Sequence, residues 1–289
     1  MNKTTISYKS TSLLIEELKK QENIKVLKKS NLLSSLFSKK KYADVYFHTG
    51  VLDEKSIKNI KNSKITITNS FALMNEIIEK TKISQEKIKV IYPSINMEYK
   101  KQKEIKVKLC EEFQINLDTK LLLFTAKNFK SSGIKEFLDI CSSITYNDIK
   151  IIIAGEKKQI ANLNFQISKY STLQDRILLL ENYSKMSDLF LASDIFLLPT
   201  YNKSFSINII KAMYCKCVVF VSLDNDAKEI VDVFASMDSP TDQSIAFKID
   251  AILSNENDLK IIKKQNRKLA LEFTLQSNLE KINNLIKNV

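Results

Sequence analysis

Short, uninterrupted apolar runs recur along the chain and alternate with amphipathic stretches. Examples are LLLF at 121–124, IIIAG at 151–155 and CVVFV at 217–221. Runs of this length without polar alternation are typical of strands buried on both faces, and their alternation with helical patterns predicts parallel sheets covered by helices. The predicted strands are Thr4–Tyr8, Ile24–Leu27, Asp44–Phe47, Lys64–Thr68, Leu121–Ala126, Ile149–Gly155, Arg176–Leu180, Ile195–Pro199 and Val218–Ser222.

Helical spacing of apolar residues fills the gaps between the later strands and the C-terminal part of the chain. The charge-dense stretch Lys100–Lys108 separates two strand-helix series and suits a linker followed by a short helix. We therefore predict two α/β domains, residues 1–104 and 105–289, the second of which includes the closing helices. The predicted helices are Gly133–Ser143, Lys185–Ala192, Ser206–Tyr214, Leu259–Phe273 and Leu275–Ile286.

The composition excludes several classes of protein. Only 3 of the 289 residues are glycine and 3 are proline, too few for a glycine-rich phosphate loop and few for the many tight turns of a β-sandwich. The hydrophobic fraction of 44% is that of a globular protein.

Four cysteines and one histidine do not form a recognisable zinc-binding pattern. Cys110 and Cys141 are isolated, and Cys215 and Cys217 lie in an apolar stretch, so we expect buried free thiols. The first residues lack the apolar core of a signal peptide, and no run approaches the roughly 18 residues of a membrane span. The sequence therefore predicts a cytoplasmic protein.

The net charge of +12 is confined to the first part of the chain. Residues 1–110 contain 23 lysines and 11 acidic residues, whereas residues 111–289 contain 22 charges of each sign. This asymmetry indicates an anionic partner, either a membrane surface or nucleic acid, although solvated lysines of a lysine-rich composition are an equally good explanation. Arginine occurs only at Arg176 and Arg267, which favours the membrane surface, because base readout usually employs arginine.

Candidate ligand-binding residues follow the predicted strands, since open α/β sheets bind ligands beyond the carboxyl ends of their strands. His48 follows one strand, Lys127 and Lys130 follow another, Gly155 and Glu156 a third, and Thr200–Ser206 leads from a fourth into a helix. Two lysines and a helix N-terminus can form an anion site. The alternatives are a structural histidine, solvated lysines, and a loop in which Ser204 or Ser206 caps the helix.

Four segments carry a resemblance to a known family. Lys64–Asn96 resembles the last N-domain strand, helix and linker of GT-B glycosyltransferases, in particular glycosyltransferase family 4 (group 1). Leu121–Ile140, Ile149–Glu156 and Met186–Ser222 resemble successive segments of that family's nucleotide-sugar domain. The resemblance implies two Rossmann-like domains facing across a cleft. The N-terminal domain is abridged, since the 47 residues before His48 accommodate at most two strands with one helix.

The resemblance also assigns site residues, with departures from the family pattern. Two family glutamates that bind the donor sugar and ribose correspond to Lys203 and Lys211, and an ammonium accepts no hydrogen bond. Lys127 corresponds to a phosphate-binding arginine of the family, and Lys130 is close by in the sequence. Ser132 corresponds to a phosphate-binding lysine. The backbone N–H groups near Ser206 and Ile207 would complete the diphosphate site, and His48 matches a family histidine expected to contact the sugar or acceptor.

The implied activity is transfer of a sugar from a nucleotide-activated donor to a glycan or lipid-linked acceptor, in cell-surface polysaccharide or lipopolysaccharide biosynthesis. Members of the family retain the anomeric configuration and need neither a metal nor another cofactor. The basic N-terminal region suits peripheral attachment to the inner face of an anionic membrane. An inactive glycosyltransferase-like protein that binds a partner or nucleotide is the alternative. Nucleic-acid binding is a third hypothesis, but the sequence shows no group of basic and aromatic residues on which bases could stack.

Overall fold

The computed structural model describes residues 3–27 and 42–287. Within these ranges the chain forms two compact units, each with its own parallel sheet: residues up to Asn96 together with those from Glu272, and residues Met97–Leu271. Part of the basic N-terminal region, residues 1–2 and 28–41, lies outside the described residues.

The first unit contains a five-stranded parallel sheet with helices on both faces. Its elements are β1 (Thr4–Tyr8), α1 (Leu13–Leu18), β2 (Ile24–Val26), β3 (Val45–Phe47), α2 (Glu54–Asn62), β4 (Ile65–Thr68), α3 (Phe71–Thr81), β5 (Ile88–Val90) and α12 (Leu275–Ile286). The strand order is β2-β1-β3-β4-β5. Ile6 pairs with both Val26 and Val45, which places β1 between β2 and β3. Helices α1 and α12 cover one face and α2 and α3 the other.

Two strands and one helix precede β3 among the described residues, as the length before His48 predicts. The three-residue strand β5 is absent from the prediction because IKV is too short a run to stand out from the polar residues around it.

The last helix departs from the predicted division at residue 104. We predicted that α12 belongs to the second domain, but Ile282 and Ile286 lie in the core of the first unit beside Leu14 and Leu18. The buried Asn278 amide also donates to the Tyr92 carbonyl at 3.0 Å and to the Ser94 hydroxyl at 2.9 Å. The first unit is therefore discontinuous in sequence, and the second begins at Met97.

The second unit contains a six-stranded parallel sheet. Its elements are α4 (Gln102–Glu112), β6 (Lys120–Thr125), α5 (Ile134–Ser142), β7 (Ile149–Gly155), α6 (Lys157–Ala161), α7 (Asn164–Ile167), β8 (Ile177–Glu181), α8 (Met186–Ala192), β9 (Ile195–Leu198), α9 (Ile207–Tyr214), β10 (Val218–Ser222), β11 (Ser236–Met237), α10 (Ser244–Ser254) and α11 (Glu256–Ala270). The strand order is β11-β10-β9-β6-β7-β8. The apolar runs LLLF, IIIA and VVFV are buried in this sheet on both faces, as predicted.

All four cysteines are buried free thiols, as predicted. Burial raises the pKa of the Cys215 thiol to about 12, so this side chain is a protonated core residue rather than a nucleophile or metal ligand. Within the described ranges, no helix combines the length and apolar character that crossing a bilayer requires.

Candidate functional site

The strand order of the second sheet defines where a ligand site is expected. From β6 the chain proceeds to β7 and β8 on one side, and then returns to place β9, β10 and β11 on the other. The direction of winding therefore reverses between β6 and β9, which pair directly through Leu122 and Ile195. Ligands of open α/β sheets bind beyond the carboxyl ends of the strands at such a switch point.

The loop after β6 carries the predicted lysines. Lys127 and Lys130 are exposed, whereas Ser132 is buried and its N–H donates to the Asn128 carbonyl at 3.1 Å. Gly133 ends the loop with φ of +76°, and a Cβ there would lie 1.7 Å from the Pro199 carbonyl oxygen. Only glycine permits this close approach of the loop to the end of β9.

The loops after β6 and β9 are joined through one carbonyl. The Ser131 carbonyl accepts the Tyr201 N–H at 3.1 Å, the Thr200 hydroxyl at 3.3 Å and the Asn202 side-chain amide at 3.2 Å. The structure therefore brings the Lys127–Ser132 and Thr200–Ser206 segments together at the switch point, because the strands that they follow are neighbours in the sheet.

The loop after β7 also contacts the lysine loop of the candidate site. The Gln159 side chain donates to the Lys127 carbonyl at 3.1 Å and connects α6 to the lysine loop. Gly155 ends β7 beneath the Phe129 ring, whose Cζ would lie 2.4 Å from a Cβ at this position. A side chain at position 155 would therefore displace the Phe129 ring.

Asn225 is a site-building residue that the sequence did not reveal. Its fully buried side-chain amide donates to the carbonyls of Asn202 and Ser204, both at 2.8 Å. Its oxygen accepts the N–H groups of Ser206 at 3.1 Å and Ala227 at 3.0 Å. One side chain therefore fixes the 202–206 loop. The sequence shows only an asparagine just after a strand, a pattern that predicts an ordinary turn.

Helix α9 presents its N-terminus at this edge of the sheet. Ser206 occupies the N-cap position, but its hydroxyl makes no capping hydrogen bond to the first turn. The Ser206 N–H is already donated to Asn225, so it cannot also bind a phosphate as the sequence suggested. The Ile207 N–H, at the first helical position, is the remaining backbone donor of the predicted pair.

The two lysines at the family's glutamate positions differ in environment. Lys203 is exposed, and its carbonyl accepts the Asp226 N–H at 2.8 Å. Lys211 lies on α9 and is half-buried, which lowers the pKa of its ammonium below the usual value. Neither ammonium has a hydrogen bond or an ion pair within the described residues.

His48 lies in the first unit, at the carboxyl end of β3. Its side chain is fully buried, and its ring centroid lies 5.9 Å from that of Tyr46. Neither ring nitrogen has a hydrogen-bond partner in the part of the chain that the structure describes, although the Gly50 backbone approaches the ring. Buried polar groups without partners are uncommon in folded proteins, so this ring has unused hydrogen-bonding capacity.

The charge state of His48 follows from its surroundings. Burial lowers the pKa of the imidazole to about 4, and the positive charge of Lys9 acts in the same direction. Lys9 donates to the Asp53 carboxylate at 2.9 Å, which holds the pKa of that carboxyl well below its usual range. His48 is therefore neutral at pH 7, with one nitrogen as a donor and the other as an acceptor.

The chemistry that these groups support is binding of an anion at the switch point of the second sheet. The hydrogen-bonded loops after β6 and β9 carry three exposed lysines, Lys127, Lys130 and Lys203. Helix α9, which follows the second loop, adds its N-terminus and the half-buried Lys211. Within residues 3–27 and 42–287, no three His, Cys, Asp or Glu side chains are grouped so as to hold a metal ion.

A family model covers more than half of the chain. Residues 106–269 match the family described as glycosyl transferases group 1, and the chain belongs to that family. The two parallel-sheet α/β units form the GT-B fold, as the sequence predicts.

Solved structures with low sequence identity support the same fold. Anabaena HepE in complex with UDP-glucose is 17% identical, with a TM-score of 0.68 over 85% of this chain and 72% of HepE. WaaG, described as a glycosyltransferase involved in lipopolysaccharide biosynthesis, is 12% identical, with a TM-score of 0.67 over 98% of each chain.

The curated relative N-acetyl-alpha-D-glucosaminyl L-malate synthase of Bacillus anthracis is 24% identical over 157 residues. The match spans 54% of this chain but only 40% of that synthase.

Proposed function

We propose that this protein transfers a sugar from a nucleotide diphosphate donor to a glycan or lipid-linked acceptor, in the synthesis of lipopolysaccharide or another cell-surface polysaccharide. Its family membership supports the reaction class. The UDP-glucose bound by HepE supports the donor class, and the pathway named for WaaG supports the acceptor class.

The observation that carries this proposal is the contact at the switch point between the loops after β6 and β9, both of which bear exposed lysines. Lys127 and Lys130 neutralise the diphosphate, assisted by the Ile207 N–H and by the hydroxyls of Ser132 and Ser206. In the reaction, the bond from the anomeric carbon to the phosphate oxygen breaks, and its electron pair remains on the phosphate. The acceptor hydroxyl oxygen bonds to that carbon and passes its proton to the departing phosphate. Positioning and charge stabilisation provide most of the rate in such a step.

Lys203 and Lys211 have a different role from the glutamates at the corresponding family positions. An ammonium cannot accept sugar hydroxyls, but it can bind a phosphate or a carboxylate on the donor sugar. Lys211 is half-buried and has no anionic partner among the described residues, so a bound anion would offset part of the cost of its burial. The neutral His48 ring, whose nitrogens have no hydrogen-bond partner in residues 3–27 and 42–287, is proposed to contact the sugar or the acceptor.

The proposed reaction retains the anomeric configuration. It requires no metal ion or further cofactor, because lysines supply the positive charge at the diphosphate. Turnover that EDTA abolishes would contradict the metal-independent reaction.

We also propose that the protein lies in the cytoplasm and attaches peripherally to an anionic membrane through its basic N-terminal part. Sedimentation with anionic but not neutral liposomes, reversed by high salt, is the expected result.

An inactive glycosyltransferase-like protein that binds a nucleotide or a partner is the second candidate. It is favoured by one observation, the replacement of both family glutamates by lysines. Such a protein would bind UDP without consuming any UDP-sugar.

The deciding experiment measures both binding and turnover. We expect UDP to bind more tightly than uridine, and Lys127→Ala to reduce UDP affinity by about tenfold with little change for uridine. Lys264→Ala is the matched control, because Lys264 is an exposed lysine on α11. An equal loss of UDP affinity in the two variants would show that Lys127 does not contact the diphosphate. A panel of nucleotide sugars with glycan and lipid-linked acceptors then separates the transferase from the inactive protein.

A further inference from the structure

A surface groove of about 940 Å³ lies in the second unit beside the candidate site. The loop after β6 forms one end, through Asn128, Lys130 and Ser131. The first turn of α5, helix α7 with the residues that follow it, and Tyr201 form the rest. Apart from Lys130, none of the side chains in this groove has a role in the proposed transfer.

Three aromatic rings line the groove. Phe165 is 74% exposed and Tyr201 is 50% exposed, whereas Tyr170 is half-buried. The Tyr201 hydroxyl donates to Glu136 at 2.9 Å, and the Tyr170 hydroxyl donates to Asp139 at 2.5 Å. These bonds fix the orientation of two rings. Exposed aromatic side chains grouped in a concave surface are typical of a binding site.

The charge in the groove is mostly positive. Lys130, Lys135 and Lys169 line it and are exposed, and none of them is in an ion pair within the described ranges. The Lys169 ammonium lies 4.8 Å from the centre of the Phe165 ring. Glu136 is the acidic residue of the lining, and its carboxylate already accepts the Tyr201 hydroxyl. A ligand of this groove therefore needs flat apolar faces together with negative charge.

We infer that the groove binds an acidic oligosaccharide, in which pyranose rings carry carboxylate or phosphate groups. The C–H faces of a pyranose ring stack on aromatic rings, and its anionic substituents meet the ammonium groups of Lys135 and Lys169, which leaves Lys130 to the diphosphate. Since the groove shares Lys130 with the lysine loop, this glycan would be part of the acceptor or product chain. That last assignment rests on the proposed transferase function, whereas binding of the glycan does not.

Binding of defined oligosaccharides to the full chain tests this inference. We expect hexagalacturonate, which carries a carboxylate on each ring, to bind at low salt and maltohexaose to bind at least about tenfold more weakly. Phe165→Ala and Lys169→Ala should each weaken hexagalacturonate binding about fivefold. Phe247→Ala and Lys264→Ala are matched controls, because both side chains are exposed in the same unit and neither lines the groove.

Three results would overturn the inference. Equal affinity for hexagalacturonate and maltohexaose would show that the ligand need not be acidic. Unchanged affinity for hexagalacturonate in both groove variants would show that the glycan binds to another basic surface. Displacement of hexagalacturonate by UDP would assign the groove to the nucleotide. UDP affinity and donor turnover are measured on the same samples. The measurements can therefore exclude glycan binding in the groove while confirming sugar transfer, and they can detect glycan binding in a protein without turnover.

Discussion

The side-chain oxygen of Asn225 lies 3.1 Å from the backbone nitrogen of Ser206 and accepts its N–H. Because the same side chain donates to two carbonyls of the 202–206 loop, a single buried amide determines the backbone path into helix α9. The direction in which the first N–H groups of α9 point therefore depends on a residue that contacts no ligand in the proposed site.

Asn225→Ala is expected to lower the free energy of unfolding by about 2–4 kcal/mol, because it leaves buried carbonyl and N–H groups without partners. UDP affinity should also fall under conditions in which the variant is folded. Urea denaturation and calorimetric titration measure the two effects. Asn162→Ala is the control, since its amide donates only to the Lys158 carbonyl on an exposed helix. Equal stability of the two variants would contradict the role of Asn225.

Gly133→Ala is expected to disrupt the contact between the loops after β6 and β9. The substitution strains a left-handed backbone and also forces a Cβ against the Pro199 carbonyl. Gly50→Ala provides the comparison, because Gly50 has φ of +74° but no atom of the described residues lies within 4 Å of an added Cβ. We expect a cost of about 1–2 kcal/mol at Gly50 and more at Gly133. Hydrogen exchange of β3 and β6 amides follows each unit separately, and similar losses of protection at both sites would contradict the steric argument.

His48 is the only histidine in the chain, so its ring signals in an NMR titration of untagged protein are unambiguous. We expect a pKa of about 4, and a higher pKa in Lys9→Met, because removal of the nearby positive charge makes the imidazolium less unfavourable. A pKa near 6.5 in the parent protein would show that the ring is solvated and would contradict its burial.

The same shift gives a pH dependence of stability. Because the folded pKa is below the unfolded value of 6.5, the unfolded chain binds more protons between about pH 4 and 6.5. Stability should therefore fall as the pH is lowered through this window, by at most about 3 kcal/mol. His48→Gln is expected to flatten this part of the curve. An unchanged slope in that variant would assign the acid sensitivity to other groups.

The sequence predicted elements whose signal is local and missed relationships between distant segments. The strand Ile149–Gly155 and the helix Leu275–Ile286 have the predicted bounds, because uninterrupted apolar runs and helical periodicity are properties of neighbouring residues. The packing of that helix in the first unit could not be predicted, since nothing in its pattern specifies which core receives its apolar face. The role of Asn225 was equally hidden, because it depends on the packing of the loop after β10 against the loop after β9, and no local pattern specifies that contact.

The site residues show the same contrast. The sequence predicted that the lysine loop and the Thr200–Ser206 segment both follow the carboxyl ends of strands in one domain. Their direct contact depends on β6 and β9 being neighbours in the sheet, which the alternation of strands and helices does not specify. The loss of the Ser206 N–H to Asn225 and the burial of His48 are tertiary effects. A motif comparison assigns a role to a position, but it does not report which donors the rest of the fold has already used.

The function of the two motif lysines can be decided by removing their charges. Lys211→Met preserves the length of a half-buried side chain and removes its ammonium, and Lys203→Ala removes an exposed one. If they contact the donor, each variant should reduce transfer by at least about tenfold, which corresponds to about 1.4 kcal/mol of activation free energy. Lys264→Met, on the exposed part of α11, should leave the rate unchanged.

The stability of Lys211→Met separates a binding role from a structural one. Removal of a half-buried ammonium without an ionic partner should preserve or increase the free energy of unfolding, because burial disfavours the charge. Loss of transfer in a variant that is at least as stable as the parent therefore places Lys211 at the anion site. Parent-like transfer by both motif variants would exclude this segment from donor binding. A parent protein that binds UDP but turns over no donor across a broad panel would identify the lysines as replacements that ended catalysis.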